Sequence, residues 1–503
     1  MDKKKSLLNV SVSLIFRLVT IFASILVRRI LIRSCGNDVN GLNALYLSII
    51  GFLAIAELGV GTAIAFCMYR PIVEGDGRKV SALYHLFRKL YLLIGGVILV
   101  GGLLITPFIH YFARDYGQLD VNLYSTFVLM LVSIVITYLF GAELSLINAY
   151  KNNYIATAIT SSGVLLQYAL QIAVLKLTGS YHGYLICRIV AALAQWLVTR
   201  CVTGKRYGSI LKNRYPIDDG TKHELVKSIR AMFMHKIGSL LVNTVDSVVI
   251  AAFVGVVALG NYTNYTVIQS SMDGLIRLVF VSLTSVFGHL YVQENKENVR
   301  RYCEAFHMLN FVIGAVFYLG YYAVADSLVA IVFSPDLVAE RMISQVIAMN
   351  GFVQFMRNST ICFRDATGTF YYDRWKPLVE GIVNIVLSVF LVNRIGVVGV
   401  IVATILTNLL ICHVVEPYVL YKHALAASPV MYYVRNYSMI VLFWVGMNIF
   451  DRLVKPIELG FRSFLRNGFV SMGVSLALCA LALLADYRAC RVLLNMITKR
   501  KCK

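Results

Sequence analysis

The sequence has 503 residues, of which 58% are hydrophobic and only 15% are charged, and its mean hydropathy is +0.72. Soluble globular proteins contain roughly 45–50% apolar and about 25% charged residues, so this composition excludes a soluble enzyme, a disordered chain and a disulfide-rich secreted domain. The net charge of +21 is typical of basic loops beside membrane helices, and we do not expect the protein to bind nucleic acid.

The hydropathy pattern predicts an all-α polytopic membrane protein with about 14 transmembrane helices, because each crossing needs about 20 apolar residues. The predicted spans are 9–32, 42–67, 90–112, 122–147, 155–177, 182–203, 233–256, 263–289, 304–325, 342–363, 377–395, 398–420, 436–450 and 465–486. Most lysines and arginines fall between alternate spans, on the side of the N-terminus. This asymmetry places both termini in the cytoplasm.

An internal repeat is visible when the chain is shifted by 219 residues. The shift carries Gly36, Gly41, Tyr46, Gly95 and Gly101 onto Gly255, Gly260, Tyr265, Gly314 and Gly320. We therefore predict a six-helix bundle over 1–215, a second over 216–430, and two further helices with a basic cytoplasmic tail over 431–503. Parallel repeats of this kind are related by an axis along the membrane normal and hold substrate between them.

The first predicted helix carries a polar face with cations at two depths. Ser13, Arg17, Thr20, Ser24 and Arg28 fall within about 80° of arc at 100° per residue. A charge at the centre of a spanning helix costs roughly 2.5–3.5 kcal/mol, so such residues normally face a cavity or a partner. An alternative for the arginines near the outer end is that they extend to the membrane surface.

Other predicted spans repeat this pattern in both halves. The seventh span places Asp246 on a polar face with Asn243 and Ser239, and the 219-residue shift pairs Lys236 with Arg17. Coherent polar faces in both halves favour a hydrated lumen with a cationic bias over isolated contacts between helices. The candidate substrate-binding residues are Arg17, Arg28, Lys236, Arg277, Arg357 and Gln354.

Four acidic residues within apolar spans are candidates for ion coupling: Asp246, which we rank first, Glu57, Asp273 and Glu143. Desolvation favours the neutral form of a carboxyl group unless a cation is close. Asp273 and Arg277 are four residues apart, so an intrahelical ion pair is the alternative for these two residues.

Signals for an enzyme are weak. The isolated histidines His182, His289 and His413 form no metal-ligand pattern, and the chain lacks a phosphate-binding Walker A motif. We expect no catalytic residues, no metal and no cofactor, with possible coupling to an H⁺ or Na⁺ gradient.

Several motifs resemble one known family. They are Gly36-(four residues)-Gly41-Leu42, Glu57-Leu58-Gly59 with Gly61, Tyr69-Arg70-Pro71, Asp246, and the turn from Gly260 to Tyr265. Together they resemble the Wzx-type polysaccharide repeat-unit flippases of the multidrug/oligosaccharidyl-lipid/polysaccharide exporter superfamily.

The resemblance implies a flippase in a bacterial cell membrane that alternates between inward-open and outward-open forms. Its substrate would be an undecaprenyl-pyrophosphate-linked oligosaccharide, the repeat unit of a capsule, O-antigen or exopolysaccharide, carried from the inner to the outer leaflet. A polysaccharide polymerase and glycosyltransferases are its implied partners. A lipid II-type flippase or a cation-coupled multidrug antiporter of the same superfamily is the alternative.

Overall fold

The computed structural model describes residues 3–57, 60–118, 120–217, 244–454 and 459–487, and also residues 220, 489, 491 and 492. Lys236, one of the candidate substrate-binding residues, lies outside these residues. All the regular elements within them are helices, namely α1 (Lys3–Cys35), α2 (Asn37–Leu53), α3 (Val60–Glu74), α4 (Gly77–Ile105), α5 (Leu123–Val135), α6 (Gly141–Ala149), α7 (Asn153–Thr178), α8 (Tyr181–Lys212), α9 (Thr244–Phe253), α10 (Val256–Gln293), α11 (Lys296–Val332), α12 (Arg341–Met356), α13 (Asn358–Thr367), α14 (Lys376–Thr407), α15 (His413–Leu420), α16 (Val430–Leu453) and α17 (Phe461–Ala485).

The predicted all-α membrane fold is confirmed. Seven helical segments of the described chain are long and apolar enough to cross a membrane: Gly77–Tyr111, Leu123–Ala149, Asn153–Thr178, Tyr181–Lys212, Lys296–Val332, Lys376–Leu425 and Phe461–Ala485. The segment Lys376–Leu425 covers both the eleventh and the twelfth predicted spans. The backbone leaves helical geometry at Ile395 and Gly396, and this kink lies between the two spans. The chain is therefore a multi-pass membrane protein.

Several predicted spans are broken where the sequence suggested continuous helices, and three of them have a charged residue at or near the break. The second span is interrupted after Leu53 and the fourth between Val135 and Gly141. The tenth span is interrupted at Arg357, which separates α12 from α13. A hydropathy window averages across such breaks because the residues on both sides are apolar. A charged residue lies at or near each break, namely Glu57, Glu143 and Arg357.

The chain divides into two compact units, Met1–Gly260 and Asn261–Lys503. In the first unit α7 packs against α1 and α8, and α4 packs against α3 and α5. In the second unit α11 packs against α12 and α17, and α16 packs against α17. The division at residues 215 and 430 that the sequence repeat suggests stays a prediction.

The glycines of the repeated motif lie where two helices begin in direct contact. Gly36 and Gly255 precede α2 and α10 with φ angles of +95° and +137°, a backbone conformation that favours glycine. A Cβ atom on Gly41 would lie 1.9 Å from the carbonyl oxygen of Val256, and one on Gly260 would lie 2.4 Å from that of Asn37. Glycine at both positions therefore allows the two backbones to approach each other.

Two tyrosines that the repeat pairs have similar roles. The Tyr46 hydroxyl donates a hydrogen bond of 2.6 Å to the carbonyl oxygen of Leu123, the first residue of α5. The Tyr265 hydroxyl accepts a bond of 3.1 Å from the backbone N–H of Ala339, just before α12. In both units a tyrosine thus anchors the beginning of a later helix.

We expect Gly41→Ala to destabilise the protein by about 1–3 kcal/mol, because the new methyl group meets backbone atoms that cannot move independently. The measurement is the thermal unfolding midpoint of the purified protein. Gly96→Ala in α4 is the matched control, since no atom lies within 4 Å of its added Cβ. Equal midpoints for the two variants would contradict the close contact between α2 and α10.

Candidate functional site

The cation-bearing face of α1 is present in the structure. Arg17 is exposed and Arg28 is half-buried. The hydroxyl groups of Thr20 and Ser24 donate to the carbonyl oxygens of Phe16 and Ile21, each at 2.8 Å. Because these hydroxyls are bonded to their own helix, the exposed Arg17 is the group of this face that remains available to a ligand. The side chain of Ser13 lies outside the described part of the chain.

Arg28 shares its surroundings with a second arginine from α8. Tyr168 of α7 and Tyr184 of α8 each interact electrostatically with the guanidinium groups of Arg28 and Arg188. The side chain of Gln171 donates to the carbonyl oxygen of Tyr184 at 3.2 Å. We call Arg28, Arg188, Tyr168 and Tyr184 the arginine–tyrosine cluster.

Arg17 and Arg188 have no acidic partner in the part of the chain that the structure describes. Among the described residues, no carboxylate oxygen lies within 4.0 Å of the nitrogens of Arg17 or Arg188. Guanidinium groups bind phosphate oxygens in a planar, often bidentate arrangement. The first unit therefore presents arginines that could bind an anion. Sequence reasoning selected neither Arg188 nor the two tyrosines as site residues.

Glu57 lies in the turn between α2 and α3 and is bonded to two tyrosines. Its Oε1 atom accepts from the Tyr91 hydroxyl at 2.6 Å, and its Oε2 atom accepts from the Tyr138 hydroxyl at 3.0 Å. Among the described residues no basic nitrogen lies within 4.0 Å of this carboxylate. Within the described part of the chain, Glu57 is thus held by neutral donors alone.

Asp273 has a comparable environment in the second unit. The hydroxyl of Tyr318 on α11 donates to its Oδ1 atom. The side chain of Arg277 lies outside the described residues, so the alternative of an intrahelical ion pair stays a prediction. In both units, an acid on the second predicted span of the half accepts a hydrogen bond from a tyrosine on the third.

The two remaining coupling candidates differ from these. Glu143, in the first turn of α6, is buried and accepts from the Tyr84 hydroxyl at 2.9 Å and from Arg200 Nη1 at 3.0 Å. It is therefore already paired with a cation. Asp246 is buried in α9 and has an interaction partner.

Arg357 is the central cation of a buried network in the second unit. Its Nε and Nη2 atoms donate to the two oxygens of Glu416 at 3.2 and 2.7 Å, and its Nη1 atom donates to Asn408 Oδ1 at 2.6 Å. Nη1 also lies 3.5 Å from Glu380 Oε1. The guanidinium is therefore occupied by protein groups. Gln354, one turn earlier, is exposed and donates to Asn350 Oδ1 at 3.2 Å.

Two more cations complete this network. Lys376 Nζ lies 2.6 Å from Glu416 Oε1 and 3.1 Å from Glu380 Oε2. Arg364 Nη1 lies 2.7 Å from Asp373 Oδ2 and 3.6 Å from Glu416 Oε1. We call the six residues Arg357, Arg364, Asp373, Lys376, Glu380 and Glu416 the ionic cluster.

Sequence reasoning selected only Arg357 from the ionic cluster. The spacing of Lys376 and Glu380 by four residues is the one local signal for an ion pair. The contacts of Glu416 with Arg357, 59 residues away, could not be read from spacing along the chain.

The sequence matches no protein-family model, and no curated protein matches it. Several solved structures share its fold. The lipid II flippase MurJ, in an inward closed conformation, has a TM-score of 0.67 and 13% sequence identity over 95% of this chain and 99% of that chain. A multidrug resistance MATE family transporter of the MOP superfamily has a TM-score of 0.58 in its inward-facing conformation, with 14% identity over 81% of this chain and 97% of that chain. An outward-facing conformation of a multidrug resistance MATE family transporter of the MOP superfamily has a TM-score of 0.53, with 14% identity over 82% of this chain and 95% of that chain.

If Arg357 has a structural role, Arg357→Ala should lower stability by about 3–5 kcal/mol, because it leaves buried Glu416 without its bidentate partner. The measurement is the thermal unfolding midpoint together with the amount of protein in the membrane. Arg394→Ala is the control, since Arg394 is exposed and its guanidinium lies over the ring of Phe390 at 5.5 Å. A variant of Arg357 with normal stability and a transport defect would instead assign this arginine to the substrate.

Proposed function

We propose that the protein is a flippase that moves an undecaprenyl-pyrophosphate-linked oligosaccharide from the inner to the outer leaflet of a bacterial cell membrane. It does so by alternating access and is not an enzyme. The observation that carries this proposal is the set of arginines in the first unit, Arg17, Arg28 and Arg188, on a fold shared with a lipid II flippase.

The charge of these residues supports an anionic head group. A pyrophosphate presents several oxygens that match the planar donors of arginine. Arg17 and Arg188 have no carboxylate partner among the described residues, so an incoming phosphate does not have to displace one. Tyr168, which is half-buried, adds an aromatic face beside the cations, where a sugar ring can stack. A cationic drug would be repelled from the same surface.

The extent of the structural likeness also supports a lipid-linked substrate. The match to MurJ spans 95% of this chain, whereas the match to the inward-facing MATE transporter spans 81%. A larger part of this chain thus has a counterpart in the lipid II flippase than in the multidrug transporter.

A lipid II flippase is the second candidate, favoured by the same match. Genetic complementation separates the two functions. The gene is expressed in cells depleted of their lipid II flippase, and separately in cells that lack their repeat-unit flippase. We expect restored surface polysaccharide in the second strain only. Rescue of growth in the first strain alone would assign the protein to peptidoglycan precursors.

The direction of transport and the partners follow from the same proposal. Both termini and the basic loops lie in the cytoplasm, where the lipid-linked precursor is assembled. Glycosyltransferases supply the substrate, and a polysaccharide polymerase consumes the product on the other side of the membrane. The protein requires no cofactor.

We assign ion coupling to Glu57 and Asp273 ahead of Glu143. The described partners of these two carboxylates are tyrosine hydroxyls, so uptake of H⁺ or Na⁺ breaks no ion pair among the described residues. Glu143 would have to give up Arg200. Asp246 remains a third candidate because it is buried in an apolar helix.

Arg17→Ala should abolish export and leave lipid-linked precursor on the inner leaflet, whereas Arg17→Lys should keep partial function. Losing a charge-assisted contact costs about 1.5–3 kcal/mol, which is roughly ten- to a hundred-fold in affinity. The measurement is surface polysaccharide per cell at matched protein abundance. Lys212→Ala, at the exposed end of α8, is the control and should have little effect. Normal export by Arg17→Ala at normal abundance would remove Arg17 from the mechanism.

The double variant Glu57→Gln/Asp273→Asn should lose the acceleration of transport by an imposed pH or Na⁺ gradient in vesicles, because neither position can then change its charge. Glu74→Gln, an exposed surface variant, is the control and should retain the acceleration. A double variant that still responds to the gradient would exclude these two carboxyl groups as the coupling sites.

A further inference from the structure

We propose that the ammonium group of Lys376 fills a binding site for a monovalent cation in the second unit, so that the protein itself supplies the ion this site requires. The inference concerns the ionic cluster and does not depend on the proposed function.

The position of the ammonium group is that of a coordinated ion. Lys376 Nζ lies between Glu416 Oε1 at 2.6 Å and Glu380 Oε2 at 3.1 Å, with Cys412 Sγ at 3.6 Å. The side chains of Lys376, Glu380 and Glu416 are 5%, 6% and 1% exposed. A lysine ammonium is a compact point charge, unlike the planar guanidinium of arginine. It therefore occupies the volume that a single metal ion would take between two carboxylates.

The charges of the ionic cluster require one cation at this position. Arg357, Arg364 and Lys376 balance the three buried carboxylates Asp373, Glu380 and Glu416. Asp365, whose Oδ1 lies 3.5 Å from Arg364 Nη2, is 47% exposed, so its charge is solvated by water and does not enter this balance. Removing the charge of Lys376 leaves one excess negative charge in a medium of low dielectric constant. One monovalent cation restores neutrality, whereas a divalent cation would overcompensate.

The carboxylates are held in place without Lys376. Glu416 is fixed by the bidentate contact with Arg357, which also lies 3.5 Å from Glu380. Glu416 belongs to α15, which is flanked by two widened helical turns with π geometry, Asn408–Cys412 and Tyr421–Leu425. Such turns occur frequently at functional sites. The two oxygens that face the ammonium should therefore stay in position when the lysine is replaced.

The tethered ammonium group determines how the stability of the ionic cluster depends on Na⁺ and K⁺. A covalently attached cation cannot dissociate, so changes of Na⁺ or K⁺ concentration should not alter the stability of the wild-type cluster. Replacing the lysine with an uncharged side chain of similar length should convert the cluster into a site that needs a cation from the medium.

The test uses the full-length purified protein in sodium, potassium and choline chloride at equal ionic strength. The quantity compared is the difference in unfolding midpoint between the wild type and each variant in the same salt, so that any effect of Na⁺ on Glu57 or Asp273 cancels. Lys376→Met should unfold at least about 5 °C lower in choline chloride, since a buried carboxylate has lost its partner, and should regain much of that loss in sodium or potassium chloride. Lys422→Met, at an exposed lysine of the neighbouring turn, should behave as the wild type.

Either of two results would overturn the proposal: a Lys376→Met variant that unfolds below the wild type by the same amount in all three salts, or one that has the wild-type midpoint in choline chloride. If Lys376→Met does not accumulate, the double variant Lys376→Met/Glu380→Gln removes one charge of each sign and should accumulate without cation dependence. A double variant that also fails to accumulate would show that Lys376 supplies something other than charge balance.

Discussion

The constraint on which this structure depends is the cost of an ionised side chain in an apolar medium. A carboxylate or guanidinium within a membrane has to be paired, to reach water, or to lose its charge. The two units meet this constraint differently. The second unit gathers three cations and three carboxylates into the ionic cluster, where the charges cancel. The first unit has arginines on α1 and α8 whose described neighbours include tyrosines.

This difference assigns different roles to residues that look alike in the sequence. Arg357 and Arg17 both lie in apolar spans, but Arg357 is held by Glu416 and Asn408, while Arg17 is exposed. A closed, neutral network stabilises the helices that contribute to it and has little attraction left for a ligand. Arginines without acidic partners are the groups that attract one. The proposed substrate site therefore depends on the first unit, and the ionic cluster maintains the second.

The fold could be predicted from the sequence because the length of the apolar segments and the spacing of the basic loops are local properties. The repeated glycines were also visible, and their function became clear only from the contact between the beginnings of α2 and α10. The helix breaks beside Glu57, Glu143 and Arg357 were missed because hydropathy averages over them. Partners such as Tyr91 for Glu57, or Glu416 for Arg357, are distant in the chain and depend on packing that one sequence does not reveal.

The central claim is that the arginines of the first unit bind the phosphate groups of a lipid-linked saccharide. The most direct measurement is the rate at which purified protein in proteoliposomes moves fluorescent polyprenyl lipids across the bilayer. The head groups compared are a pyrophosphate-linked saccharide and the same saccharide on an uncharged linkage. The account predicts rapid movement of the pyrophosphate lipid, slow movement of the uncharged one, and loss of this preference in Arg17→Ala. Equal rates for the two lipids in the wild type would contradict it.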